Sequence, residues 1–243
     1  MKAVVVENLN YQYQPGGQLV LKDIDFHIHQ GETVAIIGLS GCGKSTLCRC
    51  ISGVIHHHRQ GLMTGKVVVN GKNISDLRGT NALEVGMVFQ DPDMQLFSPT
   101  VEDEIAFAPE NLCQPPEEIR ERVENTLNVL GISALRYANP YYLSGGEKHL
   151  VALAAVLALD PPVLILDEVM SQLDTIGIKK VTTVVEKLRD RGKTIIAVEH
   201  NLEAVAFAEN LMILENGELM RFDRRDIILA DREYLTAKRL IDI

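Results

Sequence analysis

One stretch decides the fold of this chain: Val34-Ala35-Ile36-Ile37-Gly38-Leu39-Ser40-Gly41-Cys42-Gly43-Lys44-Ser45-Thr46. It joins an apolar strand to a glycine-rich turn and then to the start of a helix. Residues 38–45 fit the pattern G-x-x-x-x-G-K-[ST], in which backbone N–H groups surround a phosphate group. In that pattern Lys44 reaches the β- and γ-phosphates, and Ser45 places its hydroxyl on Mg²⁺. The sequence therefore predicts a nucleoside triphosphate site with residues 38–46 around the phosphates.

Length and composition limit the classes of protein to which this chain can belong. It has 243 residues, 46% of them apolar, which is enough for one large α/β domain or a core with an inserted subdomain. The net charge of −9 provides no basic footprint and so speaks against nucleic acid as a partner. The longest apolar run, Leu150 to Leu159, is far shorter than the roughly 20 residues that a membrane-spanning helix needs. We therefore do not expect the chain to cross a bilayer by itself.

The first residues and the cysteines indicate a compartment. The N-terminus has no signal-peptide pattern and leads directly into a predicted strand. The four cysteines, Cys42, Cys48, Cys50 and Cys113, have no paired C-x-x-C spacing. Reduced thiols in a cytosolic protein are therefore expected.

Periodicity along the chain predicts alternating strands and helices, which favours an α/β core. Residues 3–37 read as mostly β, and Asn70-Gly71 reads as the turn of a hairpin. Buried strands are expected over 85–89, 163–168 and 194–200. A helix is expected over 201–209, and a hairpin turns at residues 215–218.

Residues 91–160 have a different, mostly helical character. Helices are expected after Thr100, from Pro115-Pro116 to Gly131, and after Ser144. The stretch 91–110 contains six acidic residues and no Lys or Arg: Asp91, Asp93, Glu102, Asp103, Glu104 and Glu110. The block is predicted to be an insertion between two β-rich stretches.

Two carboxylates end the apolar strand at 163–168. A rigid buried strand can hold Asp167 near Ser45, where it helps to anchor Mg²⁺. Glu168 can then face the γ-phosphate and polarise a water molecule. Acidic residues at a strand end often only cap a helix, but the phosphate loop upstream favours the catalytic interpretation.

A second glycine-rich helix start occurs at Leu143-Ser144-Gly145-Gly146-Glu147. Two glycines at a helix N-terminus, with Ser144 as a hydroxyl donor, form another anion-binding terminus. One nucleotide hardly needs two phosphate-binding termini from the same chain. Ser144 is therefore predicted to serve a nucleotide that another chain holds.

With these motifs in this order, the chain resembles the nucleotide-binding subunit of ATP-binding cassette (ABC) transporters over about residues 3–222. The resemblance implies an α/β fold: a P-loop NTPase (RecA-like) core with an antiparallel β subdomain and an inserted α-helical subdomain. Residues 1–90 and 161–222 would form the core with the β subdomain. Residues 91–160 would form the helical subdomain and 223–243 a C-terminal extension.

The resemblance also implies a role for each residue that matches a family motif. Gln90 would touch Mg²⁺ and the transmembrane partner, and His200 would contact the γ-phosphate. Tyr13 is the better match to the aromatic residue that stacks on adenine, and Tyr11 remains an alternative. The implied roles are catalysis by Glu168, His200, Gln90 and Lys44; Mg²⁺ binding by Ser45, Gln90 and Asp167; contact with the partner chain's ATP by Ser144, Gly145, Gly146 and Glu147; and the D-loop by Asp174.

A narrower resemblance covers residues 90–111, from Gln90 to Asn111, which look strongly like energy-coupling factor ATPases. Those proteins power the uptake of vitamins or of cobalt and nickel ions. The resemblance implies a second ABC ATPase chain, identical or related, together with a transmembrane coupling subunit and a substrate-binding membrane subunit. It also implies a peripheral location on the cytoplasmic face of the cell membrane, where some acidic residues of 91–110 would receive arginines of the coupling subunit.

Some features depart from the family pattern or allow another interpretation. Val169-Met170 replaces the usual Pro-Thr, and Glu147-Lys148-His149-Leu150 replaces the usual Gln-Lys-Gln-Arg, which puts local helix contacts in doubt. His56-His57-His58 invites a metal site, but adjacent side chains rarely bind one ion, so an exposed loop is favoured.

The alternative to a transport ATPase is a soluble ABC ATPase that acts on nucleic acid or ribosomes. The sequence has no tandem cassette, coiled-coil insertion or basic surface of the kind that such proteins usually carry. A P-loop kinase or GTPase is disfavoured by the motif at 143–147 and by the absence of an Asn-Lys-x-Asp motif.

Overall fold

The strand that leads into the phosphate loop lies in the middle of a six-stranded sheet. The structure is a computed structural model that describes residues 1–57, 61–77, 81–200, 202 and 204–241, without the side chains of His56 and His57. The strands in these ranges are β1 (Lys2–Gln12), β2 (Leu21–His29), β3 (Thr33–Ile37), β4 (Leu62–Val69), β5 (Lys72–Asn73), β6 (Val85–Val88), β7 (Val163–Asp167), β8 (Thr194–Val198), β9 (Asn210–Glu215) and β10 (Glu218–Arg224). The helices are α1 (Lys44–Ser52), α2 (Val54–His57), α3 (Asn81–Glu84), α4 (Val101–Asn111), α5 (Pro116–Leu130), α6 (Gly145–Leu157), α7 (Thr175–Asp190), α8 (Arg225–Ala230) and α9 (Arg232–Ala237).

The strand order of the larger sheet explains how distant motifs meet. The order is β10-β9-β3-β8-β7-β6, and the strands from β9 to β6 run parallel. Parallel strands end at one edge of a sheet, where α/β proteins bind their ligands. The phosphate loop directly follows β3, and Glu168 directly follows β7. His200 and Gln90 are the second residues after β8 and β6. The predicted α/β architecture is confirmed.

A smaller antiparallel sheet, β2-β1-β4-β5, packs over the first helix. Leu47 and Ile51 of α1 are fully buried in a core that includes Val4 and Val6 of one sheet and Ile36 of the other. Because α1 is fixed between two sheets, its N-terminus and the loop before it have a fixed position. The hairpin predicted at Asn70-Gly71 joins β4 to β5.

The helical block forms the predicted helices. Thr100 caps α4 by accepting the N–H of Asp103 at 3.2 Å, and Gly131 ends α5 in a left-handed conformation. Helix α6 packs directly on the large sheet, with Val151 and Ala154 in the same core as Leu164. The exact subdomain limits stay a prediction.

Near the C-terminus, the predicted secondary structure is wrong for one segment, whereas another segment contains helices. The helix expected over 201–209 is wrong for its described part, because residues 202 and 204–207 form turns. The carbonyl of Ala206 accepts from Arg225 and that of Phe207 accepts from Thr33, so tertiary partners replace helical ones. By contrast, the segment given above as a C-terminal extension, 223–243, contains two short helices, α8 and α9.

The C-terminal helices belong to the core. Ile228 of α8 and Leu235 of α9 are buried against Ala35 and Ile37 of β3 and Ile213 of β9. The extension therefore supports the strand that carries the phosphate loop. In the parts of the chain that the structure describes, no helix has the length and apolar character needed to span a membrane.

Candidate nucleotide site

The phosphate loop is a tight turn that depends on its glycines. A Cβ on Gly38 would lie 2.2 Å from the carbonyl oxygen of Leu214 and 2.7 Å from the sulfur of Cys42. Gly43, which precedes α1, has a φ of 107°, a conformation that favours glycine. Lys44 is buried and donates to the carbonyls of Gly38 at 2.8 Å and Leu39 at 3.2 Å. The lysine thus lies along the loop that is predicted to surround the phosphates.

Replacing Gly38 by Ala should weaken ATP binding by about tenfold or more, because the new methyl group forces the loop away from Leu214. Titration calorimetry with ATP measures the effect. Gly71→Ala is the control, since no atom lies within 4 Å of a Cβ added at Gly71, although its positive φ of 79°, which Gly38 lacks, makes its backbone the less tolerant of a side chain. Wild-type ATP affinity in the Gly38 variant would refute the importance of this close packing.

Ser45 and Asp167 meet at the start of α1. The hydroxyl of Ser45 donates to Oδ1 of Asp167 at 2.9 Å. Burial raises the pKa of Asp167, and the Ser45 hydrogen bond acts in the opposite direction. A hydroxyl and a nearly buried carboxylate form the oxygen-rich surroundings that Mg²⁺ prefers. These two residues therefore fit the predicted metal position.

Gln90, Glu168 and His200 converge beside this pair. Nε2 of Gln90 donates to Oε2 of Glu168, and Nε2 of His200 lies 2.6 Å from Oε1 of the same carboxylate. Glu168 is buried and has a φ of 55°, an uncommon conformation for a residue with a side chain. Three residues far apart in the sequence thus form one polar cluster at the carboxyl edge of the sheet.

The two tyrosines of β1 and the turn after it have different surroundings. Tyr11 is 1% exposed and Tyr13 is 43% exposed. The hydroxyl of Tyr13 lies 2.8 Å from Oγ1 of Thr46, at the end of the phosphate loop. Only an accessible ring can stack on a base, so the structure favours Tyr13 over Tyr11.

The second glycine-rich motif begins α6 at an exposed position. Ser144 caps the helix and exchanges hydrogen bonds with Glu147, and these bonds lower the pKa of the Glu147 carboxyl. Within the residues that the structure describes, no hydrogen bond joins residues 144–147 to the phosphate loop. Asp174 caps α7 by accepting the N–H of Gly177 at 2.7 Å. The chain therefore does not bring Ser144, Gly145, Gly146 and Glu147 to its own phosphate loop.

His149 lies where the departure from the family pattern put the contacts of helix α6 in doubt. It is almost fully buried, with Nδ1 2.9 Å from the carbonyl oxygen of Gly145 and Nε2 3.1 Å from that of Gln90. Lys148 adds an ion pair with Asp93 at 2.7 Å. His149, which departs from the family pattern, and Lys148, which matches it, thus connect α6 to the segment after β6. The only sequence signal for this role was the departure itself.

Glu199 was not identified from the sequence. It is fully buried directly before His200, and Oε1 accepts the N–H of Met170 at 2.7 Å. Burial raises the pKa of Glu199 to about 7, with the carboxylates of Glu168 and Asp167 adding to the effect. A charged residue at the end of an apolar strand was the available signal.

The histidine triplet lies largely outside the described residues, because His58 and the side chains of His56 and His57 are not described. In the part of the chain that is described, no group of three or more His, Cys, Asp and Glu residues is arranged to hold a metal ion. The four cysteines are free, and Cys42, which belongs to the phosphate loop, is buried.

Comparison with protein families gives a match for most of the chain. The family described as ABC transporter matches residues 21–171. The energy-coupling factor transporter ATP-binding protein EcfA of Methanosarcina acetivorans is 40% identical over 229 residues, which cover 93% of this chain and 81% of that protein. Three further relatives are longer, and the chain spans 34–40% of their length.

Two solved structures share the fold. CbiO1 of Clostridium perfringens, described as part of the ABC transporter complex CbiONQ, has a TM-score of 0.80 and 34% identity, with 98% of this chain and 95% of that one covered. The ATP-binding cassette MJ0796, a dimer in a post-hydrolysis state with ADP and phosphate, has a TM-score of 0.81 and 26% identity. The match covers 91% of this chain and 98% of MJ0796.

Proposed function

This chain belongs to the ABC transporter family, and on that basis we propose that it is the ATP-hydrolysing subunit of an energy-coupling factor type importer. The main observation in support of ATP hydrolysis is that Gln90 and His200 both contact the Glu168 carboxylate beside the phosphate loop. Its proposed cargo class is a vitamin or a transition-metal ion, and one relative, 37% identical, is named a cobalt import ATP-binding protein, CbiO.

Each residue of the cluster has a role in hydrolysis that follows from its chemistry. Glu168 accepts a proton from the attacking water, and His200 contacts the γ-phosphate from the other side of that carboxylate. Lys44 turns from the loop carbonyls to the phosphate oxygens when ATP enters. Ser45, Gln90 and Asp167 would hold Mg²⁺, which would supply positive charge to neutralise the phosphates.

A complete site needs a second ATPase chain. At the N-terminus of α6, Ser144 and Gly145 are exposed and Gly146 and Glu147 are partly exposed, and none of the four forms a described hydrogen bond to the phosphate loop of its own chain. A head-to-tail pair would place this terminus against the ATP of the partner, and the dimeric cassette MJ0796 supports that arrangement. The partner is an identical or a related chain.

A surface for the transmembrane coupling subunit lies beside Gln90. An apolar groove of about 350 Å³ is lined by Phe89, Phe97 and Phe107, and the last two rings pack edge-to-face at 4.6 Å. Phe97 is 66% exposed, which is unusual for such a large apolar side chain unless a partner covers it. We assign this groove to the coupling subunit, which in turn carries the substrate-binding membrane subunit.

The acidic residues of 91–110 contribute less to this surface than their number indicates. Glu104 is buried and accepts the N–H groups of Phe97 and Ser98 at 2.9 and 2.7 Å. Asp93 pairs with Lys148, and Glu102 pairs with Arg136. Attraction of partner arginines therefore rests on Asp91, Asp103 and Glu110, which are exposed and form no ion pair with another described residue. Binding to this partner would hold the chain on the cytoplasmic face of the membrane.

Purification of the tagged chain from detergent-solubilised membranes tests the transport assignment. We expect membrane subunits to copurify, and Phe97→Asp to reduce their recovery by about tenfold without loss of ATPase activity in the isolated chain. Met220→Asp, at a half-exposed position on β10, is the control. Recovery of ribosomes or nucleic acid in place of membrane proteins would instead favour a soluble ABC ATPase.

A further inference from the structure

A buried carboxylate lies behind the catalytic cluster without touching the nucleotide pocket. We propose that Glu199 is a positioning residue that holds the turn at residues 169–171 and thereby aims the carboxylate of Glu168. The inference rests on the proposed role of Glu168 as the base. It assigns to Glu199 a function separate from those of the phosphate loop and of His200.

The turn after Glu168 is attached to the end of β8 at two points. The N–H of Glu168 donates to the carbonyl of Val198 at 2.9 Å. Two residues later, the N–H of Met170 donates to Oε1 of Glu199 at 2.7 Å, and the N–H of Ser171 also stabilises this carboxylate. The first attachment joins main chain to main chain, whereas the second depends on a side chain. Loss of Glu199 therefore releases one side of the turn.

Glu168 needs such support because its backbone is in an unfavourable conformation. A φ of 55° brings the Cβ of an L-residue close to its own carbonyl, and the surrounding structure must hold it there. The hydroxyl of Ser171 donates to the carbonyl of Glu168 at 2.9 Å and closes the same turn. A turn released at Met170 can relax, and the carboxylate then leaves the position between Gln90 and His200.

Burying the carboxylate of Glu199 costs free energy, which indicates that the residue has a function. The side chain of Glu199 is fully buried, and Val169 and Met170 of the adjoining turn are also completely buried. Its second oxygen, Oε2, has no hydrogen-bond partner among the described residues. Buried polar atoms are nearly always paired, so an unpaired one indicates that another property of the residue is retained. Here that property is the acceptor at Oε1.

Glu199 also explains how the chain manages without the usual Pro-Thr. Val169-Met170 lacks both the rigid proline ring and the threonine hydroxyl, and each can restrain a turn. Glu199 supplies the restraint from the neighbouring strand instead. The departure after Glu168 and the buried acid before His200 are thus two parts of one local arrangement.

Two variants of Glu199 test this role. Glu199→Met keeps the length of the side chain but removes the acceptor, and it should fold because it also removes the penalty of burying a carboxylate. We expect kcat for ATP to fall by about 10- to 100-fold while KM stays within about twofold. Glu199→Gln keeps a carbonyl oxygen for Met170, so it should restore most of the kcat.

Glu104→Met is the matched control, because Glu104 also holds backbone N–H groups from a buried position but lies away from the cluster. Its kcat should match that of the wild-type protein. A wild-type kcat in Glu199→Met, or an equal loss in Glu104→Met, would overturn the inference. If Glu199→Met does not fold, Glu199→Asp serves, because its carboxylate is one methylene too short to reach Met170.

A Glu168→Gln variant measured in parallel separates this inference from the proposed function. If that variant still turns over ATP, the assignment of the base is wrong. If it is inactive while Glu199→Met is fully active, the base assignment stands and only the positioning role fails.

Discussion

Replacing Glu168 by Gln should lower the rate of ATP hydrolysis by about 10²- to 10⁴-fold, because the amide cannot accept a proton from water. Binding of ATP should be unchanged, since Gln has the same shape and can still contact Gln90 and His200. Phosphate release measures turnover, and titration calorimetry measures binding. ATP held without hydrolysis should also trap the pair of chains, which gel filtration would detect.

The control for this variant is Glu218→Gln, because Glu218 is exposed on β10 and, among the described residues, pairs with Lys22 alone, at 3.4 Å. Its turnover should be that of the wild-type protein. Normal hydrolysis in the Glu168 variant would show that another group accepts the proton. Loss of ATP binding together with turnover would instead mean that the substitution disturbs the phosphate loop.

Replacing Lys44 by Ala should weaken ATP binding by roughly 3 kcal/mol, or about a hundredfold in Kd, because a buried ammonium no longer faces the phosphates. Lys44 is only 4% exposed, so solvent screens little of this interaction. Calorimetry with ATP and with ADP measures the change. The loss should be larger for ATP, because the lysine reaches the γ-phosphate.

Lys66→Ala is the control for charge alone, since Lys66 forms a surface pair with Glu7 at 3.6 Å. Its affinity for ATP should not change. If the Lys44 variant retained the wild-type Kd, the lysine would be a structural element that satisfies the carbonyls of Gly38 and Leu39 and would not be a phosphate ligand.

Local sequence patterns were sufficient for the elements that place the site. The glycines and Lys44 of the loop, the apolar strands before Asp167 and His200, and the cap at Thr100 each have a local physical cause. Such patterns predict an element and its ends without knowledge of its neighbours. The alternation of strands and helices then favours a parallel sheet whose strands end at one edge. Asp167 and Glu168 could be placed there from the residues themselves, whereas Gln90 and His200 came from the family resemblance.

Features that depend on tertiary partners could not be predicted in this way. The segment after His200 has a helix-compatible composition, but its carbonyls bond to Thr33 and Arg225. The burial of Glu104 and Glu199 is not visible in a sequence, where a carboxylate reads as a surface group. His149 contacts a residue 59 positions away, which no periodicity encodes.

The position of β3 has a consequence for the synthesis of the protein. Its two neighbours in the sheet, β8 and β9, come from residues 194–198 and 210–215. Gly38 packs on Leu214, and the carbonyl of Cys42 accepts the N–H of Gly217 at 3.0 Å. While the ribosome is translating the chain, the contacts of the phosphate loop with Leu214 and Gly217 cannot form until residue 217 has emerged. The loop therefore reaches its final packing only late in synthesis.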